Sequence, residues 1–445
     1  MTSIKQLESP LFESLAAQYD MLILQNQDST KAYRTEAMEA FRKLGFPSIK
    51  NEEWRFTNIL PVVKTSYELT AATTIDAEQI NKAKALIENT YRNLFAEDEA
   101  DRVVLINGVI ADSLSKLPEQ KGLHFSEIKE ATEQAGFQDH FGKILNIKDN
   151  AFAALNSAMF QDGVFIAVEK NVVVEKPIHV IKVILSGQAM MQQSRDLFVL
   201  DQNAELNVVE SYLTDIAQPV FLNAAAEVVL AENAKFNHYD LQKADAHLRI
   251  IQRTEAAQQK HSNYSNYTFT LPGAGFVRNN LALHLNDVDI ESHLYGLYLT
   301  ADSQLVDNHT EVHHKMPRGE SNQLYKGIIM DKSKAVFNGK IFVYEDAQKT
   351  NAFQQSNNVL FSEQATVNAK PQLEIFADDV KCSHGTTIGQ LNKEALFYLK
   401  SRGIGENQAK QLMVKAFAFD VAEKIKIPAL KNYVETLIEA EMENR

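Results

Sequence analysis

The pattern of apolar and polar positions divides the chain into three textures. Over the first ~95 residues apolar positions recur at helical spacing. Ala37, Phe41 and Leu44 share one face of a helix predicted over 31–44, and Pro47 follows its end. Asp76 with Gln79 three residues on reads as an N-cap with its capping-box partner. Behind it Ile80, Ala83, Leu86, Ile87, Tyr91 and Leu94 form one helical stripe. Between these helices runs Asn51-Glu52-Glu53-Trp54-Arg55-Phe56-Thr57-Asn58, which holds the chain's one tryptophan. Trp54 is read as a large anchor that pins this loop to the helices.

After residue 100 the period shortens. Val103-Val104-Leu105-Ile106-Asn107-Gly108-Val109-Ile110 reads as a strand, an Asn-Gly turn and a second strand. A helix is predicted over 151–159. From there to residue 388 short β-rich runs follow one another, opened by 164–168 and 172–174, and helical patterns are almost absent. Asn203-Ala204-Glu205-Leu206-Asn207 is echoed further on by Asn233-Ala234-Lys235-Phe236-Asn237. Asp302-Ser303-Gln304-Leu305 is echoed at the same interval by Lys332-Ser333-Lys334-Ala335. Short strands between tight polar turns at near-regular spacing predict stacked coils, a β-helix or solenoid; a large sandwich or barrel is the competing reading. Only five prolines (177, 219, 272, 317 and 371) interrupt residues 163–388, as extensive strand pairing requires.

The C-terminal texture is helical again. A short helix is predicted over 393–402, stopped by Gly403-Ile404-Gly405. A second covers 406–425, with Ala409, Leu412, Met413, Ala416 and Phe419 on one stripe. Pro428 starts a third, which repeats Leu430, Tyr433, Val434, Leu437 and Ile438. Phe417 falls off the stripe of the second helix, giving that element a spare apolar side. Docking of a partner and packing on the chain's own β-domain both account for it. The expected domains are 1–97 (helical), 98–388 (β-rich, with the repeated coils mainly in 163–388) and 389–445 (helical).

Composition narrows the function. The 445 residues carry a net charge of −13, which argues against a nucleic-acid surface or a polybasic membrane contact. No apolar run reaches ~18 residues, and the leading segment Met1–Pro10 lacks the apolar core of a signal peptide. One cysteine excludes an intrachain disulfide framework and any Cys-x-x-Cys zinc or cluster signature. No phosphate loop, dinucleotide fingerprint or nucleophile elbow is present, so no nucleotide hydrolysis is expected from this chain. The expectation is an acidic, soluble, cytoplasmic protein with no self-contained enzyme site.

Two clusters carry candidate chemistry. The sharper is Lys381-Cys382-Ser383-His384-Gly385-Thr386-Thr387-Ile388-Gly389. On an extended strand Cys382 and His384 project from one face, and Asp378 joins them if the strand is unbroken. Thiolate, imidazole and carboxylate are a fragment of a site for iron, zinc or sulfur. An iron–sulfur cluster usually takes four protein ligands, so such chemistry would be shared with a second chain. The second cluster is His309-Thr310-Glu311-Val312-His313-His314, where residues 309, 311 and 313 share a strand face. Metal binding there stands against polar side chains lining a solvent-facing coil.

The stretch from His313 to about Glu423 resembles the SufB/SufD family of iron–sulfur cluster assembly proteins. The resemblance is carried by Lys326-Gly327, Phe337-Asn338-Gly339-Lys340-Ile341, Thr350-Asn351-Ala352 and Asn357-Asn358-Val359-Leu360. It continues through Ala369-Lys370-Pro371-Gln372-Leu373-Glu374-Ile375, Val380-Lys381-Cys382-Ser383-His384-Gly385, Leu396-Phe397-Tyr398-Leu399 and Ser401-Arg402-Gly403-Ile404. Gly385-Thr386-Thr387 after His384, the lone cysteine, and Glu52-Glu53-Trp54-Arg55-Phe56-Thr57-Asn58 near the N-terminus are similar to the SufD branch. The resemblance implies a mainly β fold, a right-handed parallel β-helix between helical terminal domains. It implies a non-catalytic scaffold subunit that pairs with a SufB-like paralogue and binds a SufC-like ABC-type ATPase. It further implies that His384, with Cys382 beside it, contributes to a transient iron–sulfur cluster shared with the partner chain and not held stably by this chain alone. The region contacting the ATPase would include Arg402, Gly403, Ile404, Ala416, Phe417 and Phe419. Pairing of the isolated chain with itself is left open. The competing functions are a β-helix carbohydrate-active enzyme and a purely structural solenoid.

Overall fold

The computed structural model describes residues 9–25, 28–70, 74–92, 94–96 and 98–443. The reading of the leading segment therefore lies, for residues 1–8, outside the described residues, as does the expected boundary residue 97.

From residue 164 to 390 the chain winds as a parallel β-solenoid. Successive strands alternate between two sheets, and between Met190 and Leu360 each pairs in parallel with the strand one coil earlier and the strand one coil later. The coils differ in length: the step from Arg249 to its register partner Phe276 is a short one, and that from Lys334 to Thr366 a long one. Period-2 alternation turns Val208, Val228, Phe236, Ile250, Leu283 and Phe337 into the space between the sheets, where they build the central core. Register follows from burial on both faces: a slip by one residue would expel every one of these side chains. The echo at Asn203 and Asn233 is a true coil repeat. Both residues adopt left-handed backbone at a turn, and the Asn233 side-chain amide donates to Asn203 Oδ1 at 2.8 Å. The echo at 302–305 is offset by one, because Leu305 pairs with Lys334 and not with Ala335.

Helices cover both outer faces. Pro10–Gln25, Lys31–Leu44 and Ala151–Met159 pack with Met191, Phe221, Ile251 and Phe276 on one sheet. Ala77–Tyr91, Glu406–Ala422 and Pro428–Glu443 pack with Val183, Val209, Tyr239 and Phe269 on the other. The capping box at Asp76 and Gln79 forms as predicted, with both reciprocal hydrogen bonds. Asn107 and Gly108 take positive φ and close the predicted hairpin between Asp101–Ile106 and Val109–Ile110. Trp54 is buried against Phe152, with the Arg278 guanidinium 3.7 Å from its ring centre.

Two expectations change. Residues 172–174 form only an isolated bridge between Val173 and Glu205. The partner strand Glu205–Ile216 begins at that bridge and takes up its ladder on that side only from Val208, with Ile178–Ser186. The helix from Glu406 ends at Ala422, and its buried face is Ala409, Val414, Ala418, Val421 and Ala422. Leu412 and Phe419, assigned by spacing to the buried stripe, are 48% and 41% exposed. Phe417 instead turns toward the solenoid, beneath the Lys326 ammonium at 4.5 Å.

The core also holds charges that hydrophobic periodicity does not reveal. Between the sheets, Lys182 sits 2.7 Å from Asp196 and 2.8 Å from Glu210, and Glu210 lies 2.7 Å from His238. All four are nearly inaccessible. Burial alone would neutralise them; their mutual pairing holds the lysine protonated and the Glu210 carboxyl well below the ordinary carboxylate range.

Candidate functional site at the open end of the solenoid

The last coil consists of Thr366–Ile375 and Lys381–Gln390, the terminal strands of the two sheets. Each is paired along one side only among the described residues. The columns that fill the interior continue into this coil. Ala352, Gln354, Ser356 and Asn358 are buried, and Cys382, His384, Thr386 and Ile388 stand in register beyond them. Cys382 packs with Ile341, Val343, Ala352 and Ala377, which fixes its side as the inner one. His384, two residues on, shares that face and is exposed, because no further coil covers it. The predicted juxtaposition of thiol and imidazole is therefore real, and it lies at the open mouth of the β-helix.

Asp378 does not join them. It falls in the bend between the two terminal strands, before the ladder begins at Lys381, so strand alternation does not reach it. The chemistry of the pair is specific. Burial pushes the Cys382 thiol above its ordinary value and outweighs the backbone hydrogen bond at Ala352, which pulls the other way. No cation lowers it, so the isolated chain presents a thiol and not a preformed nucleophilic thiolate. Among the described residues no group of three or more His, Cys, Asp or Glu side chains is arranged to hold a metal ion. A thiol and an imidazole at an open mouth can share a metal or sulfur species with donors brought by another molecule.

The second histidine cluster resolves differently. Residues 309, 311 and 313 do share the outer face, as spacing predicts. His309 is taken up by Glu53 at 3.4 Å and Asp307 at 3.0 Å. His313 stacks between His284 and Phe342 at centroid distances of 5.0 and 4.6 Å. His314 turns inward to Ser321 at 2.8 Å, and burial pushes its imidazole down to about 3. The cluster is a fastening. Glu53 accepts from Lys340 at 2.5 Å, Glu52 from Lys370 at 2.5 Å, and Thr57 donates to Asp307 at 2.5 Å. The loop 51–58 thereby ties the N-terminal helices to the outer face of the penultimate coils and of the terminal strand itself.

The C-terminal residues form a separate surface. Lys393–Ser401 buries none of its residues, and Phe397 and Tyr398 are 74% and 57% exposed. Arg402, Gly403, Ala416 and Phe419 are exposed, Ile404 is half-buried, and Phe417 faces the solenoid. Ile404, Leu412, Ile438 and Met442 line a groove of about 430 Å³ between the last two helices. No helix among the described residues is long and apolar enough to cross a membrane.

Comparison with known proteins places this geometry. Residues 183–417 match the model of the SUF system FeS cluster assembly SufBD core domain, and residues 5–180 match that of the SufBD protein N-terminal region. The chain belongs to the SufBD family of iron–sulfur cluster assembly proteins. It is 32% identical over 410 residues to an iron–sulfur cluster assembly SufBD family protein of Synechocystis, covering 89% of this chain and 88% of that one. It is 28% identical over 400 residues to the iron–sulfur cluster assembly protein SufD of Escherichia coli, covering 89% of each, and 24% identical over 416 residues to SufD of Bacillus subtilis, covering 92% and 93%. The SufBD core match contains the whole open end with Cys382 and His384. Sequence reasoning found that pair and missed the inner column beneath it. Gln354 stands one coil before His384, at the same interval that separates Asn203 from its echo at Asn233.

Proposed function

We propose that the chain is a non-catalytic, SufD-like scaffold subunit that carries half of an iron–sulfur assembly site. The observation that carries this reading is the open last coil: two edge strands with unpaired backbone groups surround an interior column ending in Cys382 and His384. Such an edge is a template for another strand, and a SufB-like paralogue fits it as a continuation of the sheets. Pairing there would bring the partner's donors over Cys382 and His384, with the nascent cluster as cargo. His384 acts as a neutral imidazole ligand, and Cys382 as an auxiliary thiol that gives up its proton on binding iron. The exposed surface around Arg402, Gly403, Ile404, Ala416 and Phe419 supplies the contact for a SufC-like ATPase, whose turnover would alter the separation of the two scaffold chains.

The test is cluster assembly by the reconstituted complex carrying His384→Ala. The expected result is an intact complex that forms little or no cluster. Wild-type cluster yield from an intact complex would remove His384 from the site.

A further inference from the structure

The inner column below His384 ends in a polar group without a partner. Gln354 is register partner to His384 in the adjacent parallel strand, about 4.8 Å away along the stack. Its side chain is buried, and Nε2 donates to Gln323 Oε1 at 3.2 Å. Gln323 Oε1 also accepts from Thr310 Oγ1 at 2.7 Å. The nitrogen end of the Gln354 amide is thus held on the lower coil, and its carbonyl oxygen has no hydrogen-bond partner. The opposite sheet leaves space for this amide: a Cβ on Gly339 would lie 2.2 Å from Gln354 Nε2. A buried carbonyl without a donor is costly. His384 is the next side chain on the column, exposed, with two ring nitrogens.

We infer that Gln354 is a positioning residue for His384: its side-chain carbonyl accepts the N–H of one ring nitrogen and leaves the other, unprotonated, turned to the mouth of the coil. The inference rests on the reading of His384 as a ligand. A histidine that binds metal through one nitrogen commonly donates from the other to a carbonyl, which fixes tautomer and ring orientation. The Thr310–Gln323–Gln354 chain keeps the acceptor from turning away.

The test reads the neutral His384 tautomer by nitrogen-15 NMR on the isolated full chain. The pH is set well above the ordinary histidine range, and the signal is assigned by its loss in His384→Ala. Wild type is expected to show a single tautomer. Gln354→Met, which keeps the length and removes the acceptor, is expected to show both, as a freely hydrated imidazole does. Gln354→Glu keeps an acceptor and is expected to restore the single form, with Gln323 turning its free Nε2 toward it. Both tautomers in wild type, or a single tautomer in folded Gln354→Met, would overturn the assignment. Should Gln354→Met fail to fold, wild type and Gln354→Glu decide, and both forms in either would overturn it. No cluster or partner enters this measurement, so its failure leaves the His384→Ala assembly test standing separately.

Discussion

At the scale of single residues, the site depends on what surrounds each donor. Cys382 is half-buried among Ile341, Val343 and Ala377, with its thiol pushed up, so it needs a metal or a partner's charge to ionise at neutral pH. Glu53 is the opposite case: His309 and then Lys340 hold its carboxyl down at about 2, against the opposing pull of burial. An unfolded chain titrates glutamate near about 4.3. The stability contributed by Glu53 is therefore fully present above about 4.3 and is lost as pH falls through about 2. Glu53→Gln is expected to lower stability at neutral pH by about 1 kcal/mol, discounted for the partial exposure of the carboxylate, and to flatten this part of the acid limb in urea unfolding followed across pH. An unchanged acid limb would mean that Glu53 does not fasten the loop 51–58. The pairing of Cys382 with His384 was legible because strand period is two. The role of Glu53 was not, since its partners His309 and Lys340 lie in the distant C-terminal half of the chain.

At the scale of elements, the terminal strand differs from its neighbours only in having no coil beyond it. Lys381–Gln390 has the same length and register as Asn351–Leu360, yet of its inner side chains Cys382 is only half-buried and His384, Thr386 and Ile388 are exposed. Ile388, on that column and 47% exposed, is expected to tolerate aspartate with less than about 0.5 kcal/mol change in stability. The same Ile388→Asp should abolish association with a SufB-like chain in a pull-down; retained association would locate the interface elsewhere. The helix Glu406–Ala422 makes a similar distinction. Phe417→Ala should cost about 2 kcal/mol, because the ring is half-buried on the solenoid beneath Lys326. Phe419→Asp should leave stability unchanged and weaken binding of a SufC-like ATPase, measured by titration calorimetry. The start of this helix followed from the Gly403-Ile404-Gly405 break, and that of the next from Pro428. The buried face of Pro428–Glu443 was legible too, since Leu430, Tyr433, Val434, Leu437 and Ile438 are all buried; that of Glu406–Ala422 was not, because a helix with apolar residues all round does not declare which side meets the sheet.

At the scale of the whole molecule, the β-helix and its helical ends were legible in the alternation of apolar runs with polar turns, while the exact repeat was not. Coil length drifts between the short step at Arg249 and the long step at Lys334 because turns absorb insertions that strands cannot. The buried group of Lys182, Asp196, Glu210 and His238 was also hidden: these residues come from separate strands and meet only when the coils stack. Stacking builds a rod whose interior is closed by helices and turns along its length and open at Thr366–Ile375 and Lys381–Gln390. On the proposed function, the donors at that open end serve a cluster only when a second chain completes them. The most direct measurement is the iron and acid-labile sulfide content after reconstitution of this chain purified alone and of the same chain purified with a SufB-like paralogue and a SufC-like ATPase. Sub-stoichiometric iron and sulfide alone, and a cluster in the complex that is lost with His384→Ala, is the predicted result. A stoichiometric iron–sulfide centre on the isolated chain would contradict it.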